Sequence, residues 1–85
     1  MTYSVRIKAS AAKQLARVDV RTRRLLVAQI DRLAADPHVG TVLKGELDGL
    51  RRVRVGAYRI VFEVRDRELL VLVVRLGHRS SVYRR

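Results

Sequence analysis

The sequence has no cysteine and no tryptophan, and it contains only one proline and one phenylalanine. Without cysteine, the chain can form neither a disulfide framework nor a cysteine-based metal site. Hydrophobic residues make up 48% of the 85 positions but aromatic residues only 5%, so we expect a core built from Val, Leu, Ile and Ala. A chain of this length has little room for a second core, and we therefore expect a single domain over residues 1–85.

Long apolar runs are also missing from the sequence. The opening stretch MTYSVRIKAS is too polar for a signal peptide, and no other stretch approaches the length of a membrane span. We therefore expect a cytoplasmic protein that makes no contact with a membrane.

Negative charge is scarce, because eight Asp and Glu residues stand against 19 Lys and Arg residues, for a formal net charge of +11. Such an excess predicts strong, salt-sensitive attraction to polyanions or to an acidic partner. The excess is concentrated in residues 51–85, where ten arginines accompany three acidic residues. Arginine favours planar, bidentate contacts with phosphate or carboxylate groups, so the clustering points to an anion-binding surface.

The first third of the chain has the pattern of a strand followed by two helices. Residues 2–8 alternate apolar and polar side chains, which is typical of a strand. We expect Ser10 to cap a short helix that runs to about Val18, and Asp19 to cap a second helix over residues 20–35. Asp36-Pro37 ends the second helix, because proline cannot continue the helical hydrogen bonds. Its apolar side chains recur at helical spacing: Leu26, Val27, Ile30, Leu33 and Ala34.

The rest of the chain has the pattern of three more strands. Residues 38–49 are a glycine-rich connection, residues 50–55 and 58–64 are strands, and a tight turn at Asp66-Arg67 leads into a strand over residues 68–76. The order β-α-α-β-β-β predicts an α+β fold with a small antiparallel sheet of about four strands. We expect the first strand to pair at one side of the sheet and the helical hairpin to cover one face.

The predicted last strand is apolar on both sides. Regular alternation places Leu70, Leu72, Val74 and Leu76 on one face, and Leu69, Val71 and Val73 on the other. The helical hairpin can cover only one of these faces. We therefore expect the second face to be covered in part by the C-terminal tail, by a second protein or by a ligand.

The stretch GLRRVRVGAYRIVF, residues 49–62, predicts a hairpin that brings arginines together. If the turn is Gly56-Ala57, Arg54 faces Arg59, and Arg52 shares their side of the hairpin. Like charges opposite each other destabilise a strand pair, and a bound anion would relieve the repulsion. Two alternatives remain open: the long side chains spread into water, or a one-residue slip in register separates them.

The sequence contains no phosphate-binding loop, dinucleotide fingerprint, serine triad or metal-ligand spacing, so we expect no cofactor and no metal. His38 and His78 have the pattern of loop and surface residues. Glu46, Asp48 and Glu63 could hold the arginines in place. A surface of this kind could cleave RNA without a metal, because arginine stabilises charge on the reacting phosphate. Arginine is a poor base, however, since the guanidinium stays protonated.

Two stretches, LKGELDGLRRVRVGAYRIVFEV and VLVVRLGHRSSVYRR, resemble the RelE toxins of bacterial toxin–antitoxin pairs, within the wider RelE/ParE group. The resemblance covers nearly the whole chain. It implies a small ribonuclease-like sheet with helices on one side. It also implies a ribosome-dependent endoribonuclease that enters the A site and cuts the mRNA codon there. A cognate, RelB-like antitoxin would wrap the toxin and inhibit it.

The resemblance also implies roles for individual residues. Arg52 and Arg54 fall where the family has basic residues, one of them often a lysine that is proposed to activate the 2′-hydroxyl. Arg59 matches the arginine that stabilises the phosphate, and Arg79 the arginine that stabilises or protonates the leaving group. Tyr83 matches the tyrosine that stacks on the substrate base, a common mode of RNA recognition. Arginine in place of lysine at 52 and 54 leaves the group that takes the first proton open. It could be an arginine perturbed by its surroundings or His78, or the reaction could rely on alignment and charge stabilisation with little help from a base.

Two other functions fit parts of the pattern. A ParE-like toxin would share the fold but would poison DNA gyrase and cleave no RNA. A nucleic-acid-binding or ribosome-associated module without catalysis would also explain the basic surface.

Overall fold

The computed structural model describes residues 2–45 and 49–78. These residues have the α+β fold that the sequence predicts, with two helices and five strands. The strands and helices follow one another as β1 (Ser4–Ile7), α1 (Ala9–Arg17), α2 (Val20–Ala35), β2 (Thr41–Val42), β3 (Arg51–Val55), β4 (Tyr58–Arg65) and β5 (Leu70–His78).

The five strands form one sheet in the order β1-β5-β4-β3-β2. The antiparallel meander of β3, β4 and β5 agrees with the prediction, but the sheet as a whole is mixed because β1 runs parallel to β5. A parallel neighbour needs a crossover connection, and the two helices between β1 and the meander provide it. The strand β2 is an addition to the predicted four, in the stretch expected to be only a connection. Two residues are too few for alternation to reveal a strand.

The helices match the predicted ranges closely, although one of the predicted caps is wrong. The Asp19 side chain accepts a hydrogen bond from the backbone N–H three residues later, and α2 ends at Ala35 as expected. α1 begins at Ala9 rather than after Ser10, and its N-cap residue Lys8 makes no side-chain capping bond. Strand pairing determines this start, because the Lys8 N–H donates to a carbonyl of β5. Within residues 2–45 and 49–78, no helix is long and apolar enough to cross a membrane.

Arg23 joins the two helices, although its position on α2 suggests an exposed side chain. Its guanidinium donates to three backbone carbonyls at the end of α1 and just beyond it: Leu15 at 3.1 Å, Ala16 at 2.9 Å and Val18 at 3.0 Å. The last carbonyls of a helix have no partner within the helix, so a cation there both satisfies them and matches the helix dipole. Arg23 therefore holds the helical hairpin in shape.

The hydrophobic core lies between the helices and one face of the sheet. Three residues of the stripe predicted on α2 are buried, Leu26, Ile30 and Leu33. Val27 was predicted to lie beside them but is 40% exposed, because it lies about 100° around the helix from Leu26. The core residues come from both helices and three strands: Ala11, Leu26, Ile30, Leu33, Val53, Ile60, Phe62, Val71, Val73 and Leu76.

A β-bulge interrupts the regular alternation of β5. Val61 pairs with Arg75 while the next residue of β4, Phe62, pairs with Val73, so Val74 is an extra residue. The bulge moves Leu76 to the helix side of the sheet, where it joins Val73 in the core. The prediction that Leu76 shares a face with Leu70 and Leu72 is therefore wrong, because one inserted residue exchanges the faces beyond it.

The connection between β4 and β5 is a 3₁₀ turn over Asp66–Glu68 and not the predicted two-residue turn. It closes with Leu69 in the left-handed conformation, at φ 49°. The face of the sheet that turns away from the helices also contains buried side chains, Val61 and Leu70, in agreement with the expected partial cover. The C-terminal tail, one of the three alternatives for that cover, lies outside the described residues.

Candidate anion-binding site

The hairpin of β3 and β4 brings three of the predicted site residues together. The turn at Gly56-Ala57 sets the register in which Arg54 pairs with Arg59 and Arg52 pairs with Val61, as predicted. Val53 is buried in the core, so its neighbours Arg52 and Arg54 extend from the opposite face of the sheet. Arg59 shares that face because directly paired residues lie on the same side.

The third strand of the meander adds another arginine to the same face. Arg75 of β5 pairs with Val61 on the side opposite Arg52, and Gly77 pairs with Arg59. Arg54 is exposed, while the other three arginines are half-buried. We refer to Arg52, Arg54, Arg59 and Arg75 together as the arginine face. Regular alternation along β5 would have turned Arg75 toward the helices, so sequence reasoning did not include it.

Glu63 lies on the same side of the sheet as the arginine face, but it forms an ion pair with Arg65, which is not one of those four arginines. The Glu63 carboxylate accepts a hydrogen bond from Arg65 Nε at 2.7 Å. This bond holds the pKa of the Arg65 guanidinium above its usual value, with Glu68 adding to the effect. Of the three acidic residues predicted to hold the arginines, Glu63 therefore pairs with Arg65. Glu46 and Asp48 lie outside the described residues.

A close backbone contact fixes the strand that carries Arg52 and Arg54. Gly40, in the connection that precedes β2, has a φ of +78°, and a Cβ atom built there would lie 2.2 Å from the carbonyl oxygen of Arg52. Only glycine allows this approach. The contact lies beside a groove of about 480 Å³ between α2 and the outer edge of β3, lined in part by Arg32, Arg52 and Arg54. Gly40 was not among the predicted site residues, because a glycine in a connection gives no sign of which strand it approaches.

His78 lies on the other side of the sheet from the arginine face. It pairs with Tyr58, which packs against the core, and the two rings meet edge to face with centroids 5.8 Å apart. His78 therefore does not join the guanidinium groups of Arg54 and Arg59. The two remaining predicted site residues, Arg79 and Tyr83, lie outside the described residues.

A second polar cluster lies at the opposite end of the sheet. The Tyr3 hydroxyl donates to Asp66 Oδ1 at 2.7 Å, and His38 Nε2 lies 2.7 Å from the same oxygen. The hydrogen bond from Tyr3 lowers the pKa of Asp66 below its usual value, and the hydrogen bond and charge of His38 lower it further. The same hydrogen bond to Asp66 raises the pKa of Tyr3. The cluster ties the start of β1, the end of α2 and the β4–β5 turn together. His38 thus has a structural contact that its loop position did not predict.

The arginine face is suited to binding and stabilising an anion. Four guanidinium groups around a buried valine provide planar donors that match phosphate oxygens. They provide no base, because the arginine side chain is a hydrogen-bond donor with no acceptor atom. Among the described residues, no group of three or more His, Asp or Glu side chains is placed to hold a metal ion.

Comparison with known proteins gives matches over nearly the whole chain. The family described as the ParE toxin of the type II toxin–antitoxin system, parDE, matches residues 5–83. Toxin RelG from Mycobacterium tuberculosis is 32% identical over 90 residues, which cover all of both chains. Toxin RelE from the same organism is 33% identical over 84 residues, covering 96% of this chain and 87% of the relative. A chain in the crystal structure of the toxin–antitoxin complex RelBE2 from M. tuberculosis superimposes with a TM-score of 0.86 and 29% identity, over 95% of each chain.

Proposed function

This chain belongs to the RelE/ParE superfamily of toxins from type II toxin–antitoxin systems, and we propose that it acts in the RelE manner, as a ribosome-dependent endoribonuclease. It would enter the ribosomal A site, cut the mRNA there and so stop translation. The observation that carries the proposal is the pairing of Arg54 with Arg59 on an outward face of the sheet. Like charges at directly opposed positions lower the stability of a strand pair, and a bound anion would offset that cost.

The proposed reaction needs no metal. The 2′-hydroxyl oxygen attacks the adjacent phosphorus, a bond forms between them, and the bond from phosphorus to the 5′-oxygen of the next nucleotide breaks. Negative charge develops on the phosphorane oxygens, where Arg59 would stabilise it with preorganised hydrogen bonds. Arg79 would stabilise the charge on the departing 5′-oxygen, which would take its proton from water, and Tyr83 would stack on the substrate base.

The four residues of the arginine face offer no base for the proton of the 2′-hydroxyl. Arg52 and Arg54 occupy the positions where related toxins have basic residues, but arginine keeps its proton. The contact of His78 with Tyr58 on the helix side of the sheet argues against His78 as the base. We therefore propose that Arg52 and Arg54 align the mRNA strand and stabilise negative charge on it. The rate of cleavage would then depend mainly on how well the 2′-hydroxyl is positioned against the phosphate.

We also propose that a RelB-like antitoxin binds this protein and inhibits it. The similar structure from M. tuberculosis is a toxin–antitoxin complex, which supports a partner of the same kind here. A net charge of +11 favours an acidic surface on that partner. Since the proposed substrate is mRNA on the ribosome, the protein would act in the cytoplasm.

A ParE-like inhibitor of DNA gyrase is the second candidate function. The family match under the ParE description and the absence of a base among the arginines favour it. A ribosome- or nucleic-acid-binding module without catalysis would share the same basic surface.

A paired assay with purified protein separates these functions. In the first arm, primer extension maps cuts on a defined mRNA, either bound to ribosomes or alone. In the second arm, purified gyrase is tested for loss of supercoiling and for trapped DNA breaks. Cuts within the A-site codon that require ribosomes, together with unaffected gyrase, are the expected result. Uncut mRNA with inhibited gyrase would establish the ParE-like function. Uncut mRNA with active gyrase would leave the ribosome- or nucleic-acid-binding module without catalysis.

A further inference from the structure

The β-bulge in β5 determines which way Arg75 points. Val71 and Val73 are buried in the core, so regular alternation would aim the next odd-numbered residue, Arg75, toward the core as well. Val74 is inserted instead, and Arg75 pairs with Val61 on the outward face. A β-bulge commonly re-aims a side chain, and bulges are over-represented next to active sites.

The register gives the arginine face a regular layout of two rows. Arg52, Val61 and Arg75 form one row across β3, β4 and β5, and Arg54, Arg59 and Gly77 form the next. Adjacent strands lie about 4.8 Å apart, so the backbones of Arg52 and Arg75 are about 10 Å apart across Val61. The two rows are separated by two residues along each strand, or about 7 Å.

The backbone around Arg75 is held from the helix side. Beyond the end of β1, the outer edge of β5 is covered by α1, and Leu76 N donates to Gln14 Oε1 at 3.3 Å. The Leu76 side chain is fully buried. The backbone that carries Arg75 is therefore already ordered, and a ligand that binds there does not have to order the strand.

We propose that Arg75 binds the RNA phosphate next to the one held by Arg54 and Arg59. The separation of the rows is of the same order as that between consecutive phosphates of an extended single strand, and a basic groove that follows the backbone is typical of single-strand binding. The inference rests on the proposed function and extends it, because it makes Arg75 a substrate-binding residue that takes no part in proton transfer. Arg52 lies across Val61 from Arg75 and would contact the phosphate that Arg75 binds from the opposite side.

The salt dependence of RNA binding tests this contact directly. The probe is a short fluorescent single-stranded RNA made resistant to cleavage by 2′-deoxy substitution, titrated with the full chain at several salt concentrations. Each phosphate contact to a single strand contributes about 0.7 to the slope of log K against log salt. Arg75→Gln should reduce the slope by about that amount, and Arg75→Lys should retain it. The matched control is Arg65→Gln, which removes one charge from the same face at a residue paired with Glu63, and it should leave the slope unchanged.

Cleavage on programmed ribosomes gives a second, independent readout. Arg75→Gln should raise the half-saturating toxin concentration about tenfold and leave the maximal rate within about twofold, because a lost substrate contact weakens binding more than chemistry. An Arg75→Gln protein with the slope of the wild type, or a wild type that does not bind the RNA at low salt, would overturn the inference. If the slope depends on Arg75 but mRNA on ribosomes is not cut, the inference stands and the proposed function fails. If mRNA is cut but the slope is independent of Arg75, the proposed function stands and the inference about Arg75 fails.

Discussion

Arg54 and Arg59 lie directly opposite each other on β3 and β4, with both side chains on the face of the sheet that turns away from the helices. Side chains in such a pair are separated by about 5 Å at their Cβ atoms. Like charges at directly opposed positions repel each other and lower the stability of a strand pair. A bound phosphate would turn this repulsion into a shared attraction.

Arg54→Gln should stabilise the unliganded protein while it weakens RNA binding. Removing one of two like charges in a cross-strand pair should raise the free energy of unfolding by a few tenths of a kcal/mol, up to about 1 kcal/mol. Urea unfolding at low and high salt measures the effect, and the gain should shrink at high salt because salt screens the repulsion. Arg67→Gln, an exposed position in the β4–β5 turn, is the control. A loss of stability in Arg54→Gln at low salt would show that the pair is not repulsive.

Gly40→Ala should destabilise the protein more than Gly56→Ala does. Both glycines have positive φ, at +78° and +60°, but only at Gly40 would an added Cβ atom meet other atoms, the nearest being the Arg52 carbonyl oxygen. At Gly56, holding alanine in the left-handed backbone conformation should cost about 1 kcal/mol of stability. At Gly40 the clash of the added Cβ atom should bring the total cost to about 2 kcal/mol or more. Denaturant unfolding of the two variants measures the difference, and equal losses would mean that the approach of Gly40 to β3 is not close.

The cluster of Tyr3, His38 and Asp66 should make stability depend on pH in the acid range. The pKa of Asp66 is lowered in the folded protein, first by the hydrogen bond from Tyr3 and then by His38, with a further contribution from the charge of Arg51. A group with a lowered folded pKa stabilises the protein above its unfolded pKa of about 4, and this contribution is lost as the pH falls through the folded value. The raised pKa of Tyr3 acts at the other end of the range, because its contribution is lost as the pH rises above about 10.

Asp66→Asn is the variant that tests this dependence. Urea unfolding of wild type and variant, measured from about pH 2.5 to 7, should show a stability difference that is full near neutrality and shrinks below about pH 4. Asp31→Asn, on the exposed side of α2, is the matched control. A difference between wild type and Asp66→Asn that stays constant over the whole range would contradict the account.

The parts of the fold that the sequence predicts are those set by neighbouring residues. The Gly56-Ala57 turn lies within the hairpin it closes, so the register of Arg54 and Arg59 can be derived locally. The same holds for α2, whose cap Asp19 and stop Asp36-Pro37 are adjacent to it. In both cases the signal and the structure it determines lie within a few residues of each other.

The parts that the sequence does not predict depend on contacts between distant segments. The parallel pairing of β1 with β5, the bulge at Val74 and the approach of Gly40 to Arg52 each involve residues far apart in the chain or an exception to regular alternation. This explains why Arg75 joins the arginine face without having been predicted there. Arg23 is a separate case, because its partners lie only five to eight residues away in the chain, but its place on α2 gives no sign that its side chain reaches back to the end of α1.

We propose that Arg59 stabilises the phosphate that is cut in ribosome-bound mRNA. The single-turnover rate of cleavage on programmed ribosomes tests it, comparing wild type, Arg59→Ala and Arg65→Ala, an arginine on the same strand and face that pairs with Glu63. Circular dichroism and thermal unfolding would confirm that the variants fold. Arg59→Ala should cut about 10²- to 10³-fold more slowly, as expected for the loss of one preorganised donor to a developing negative charge, and Arg65→Ala should remain within about threefold of the wild type. A folded Arg59→Ala protein that cuts the A-site codon at the wild-type rate would show that Arg59 does not stabilise the reacting phosphate.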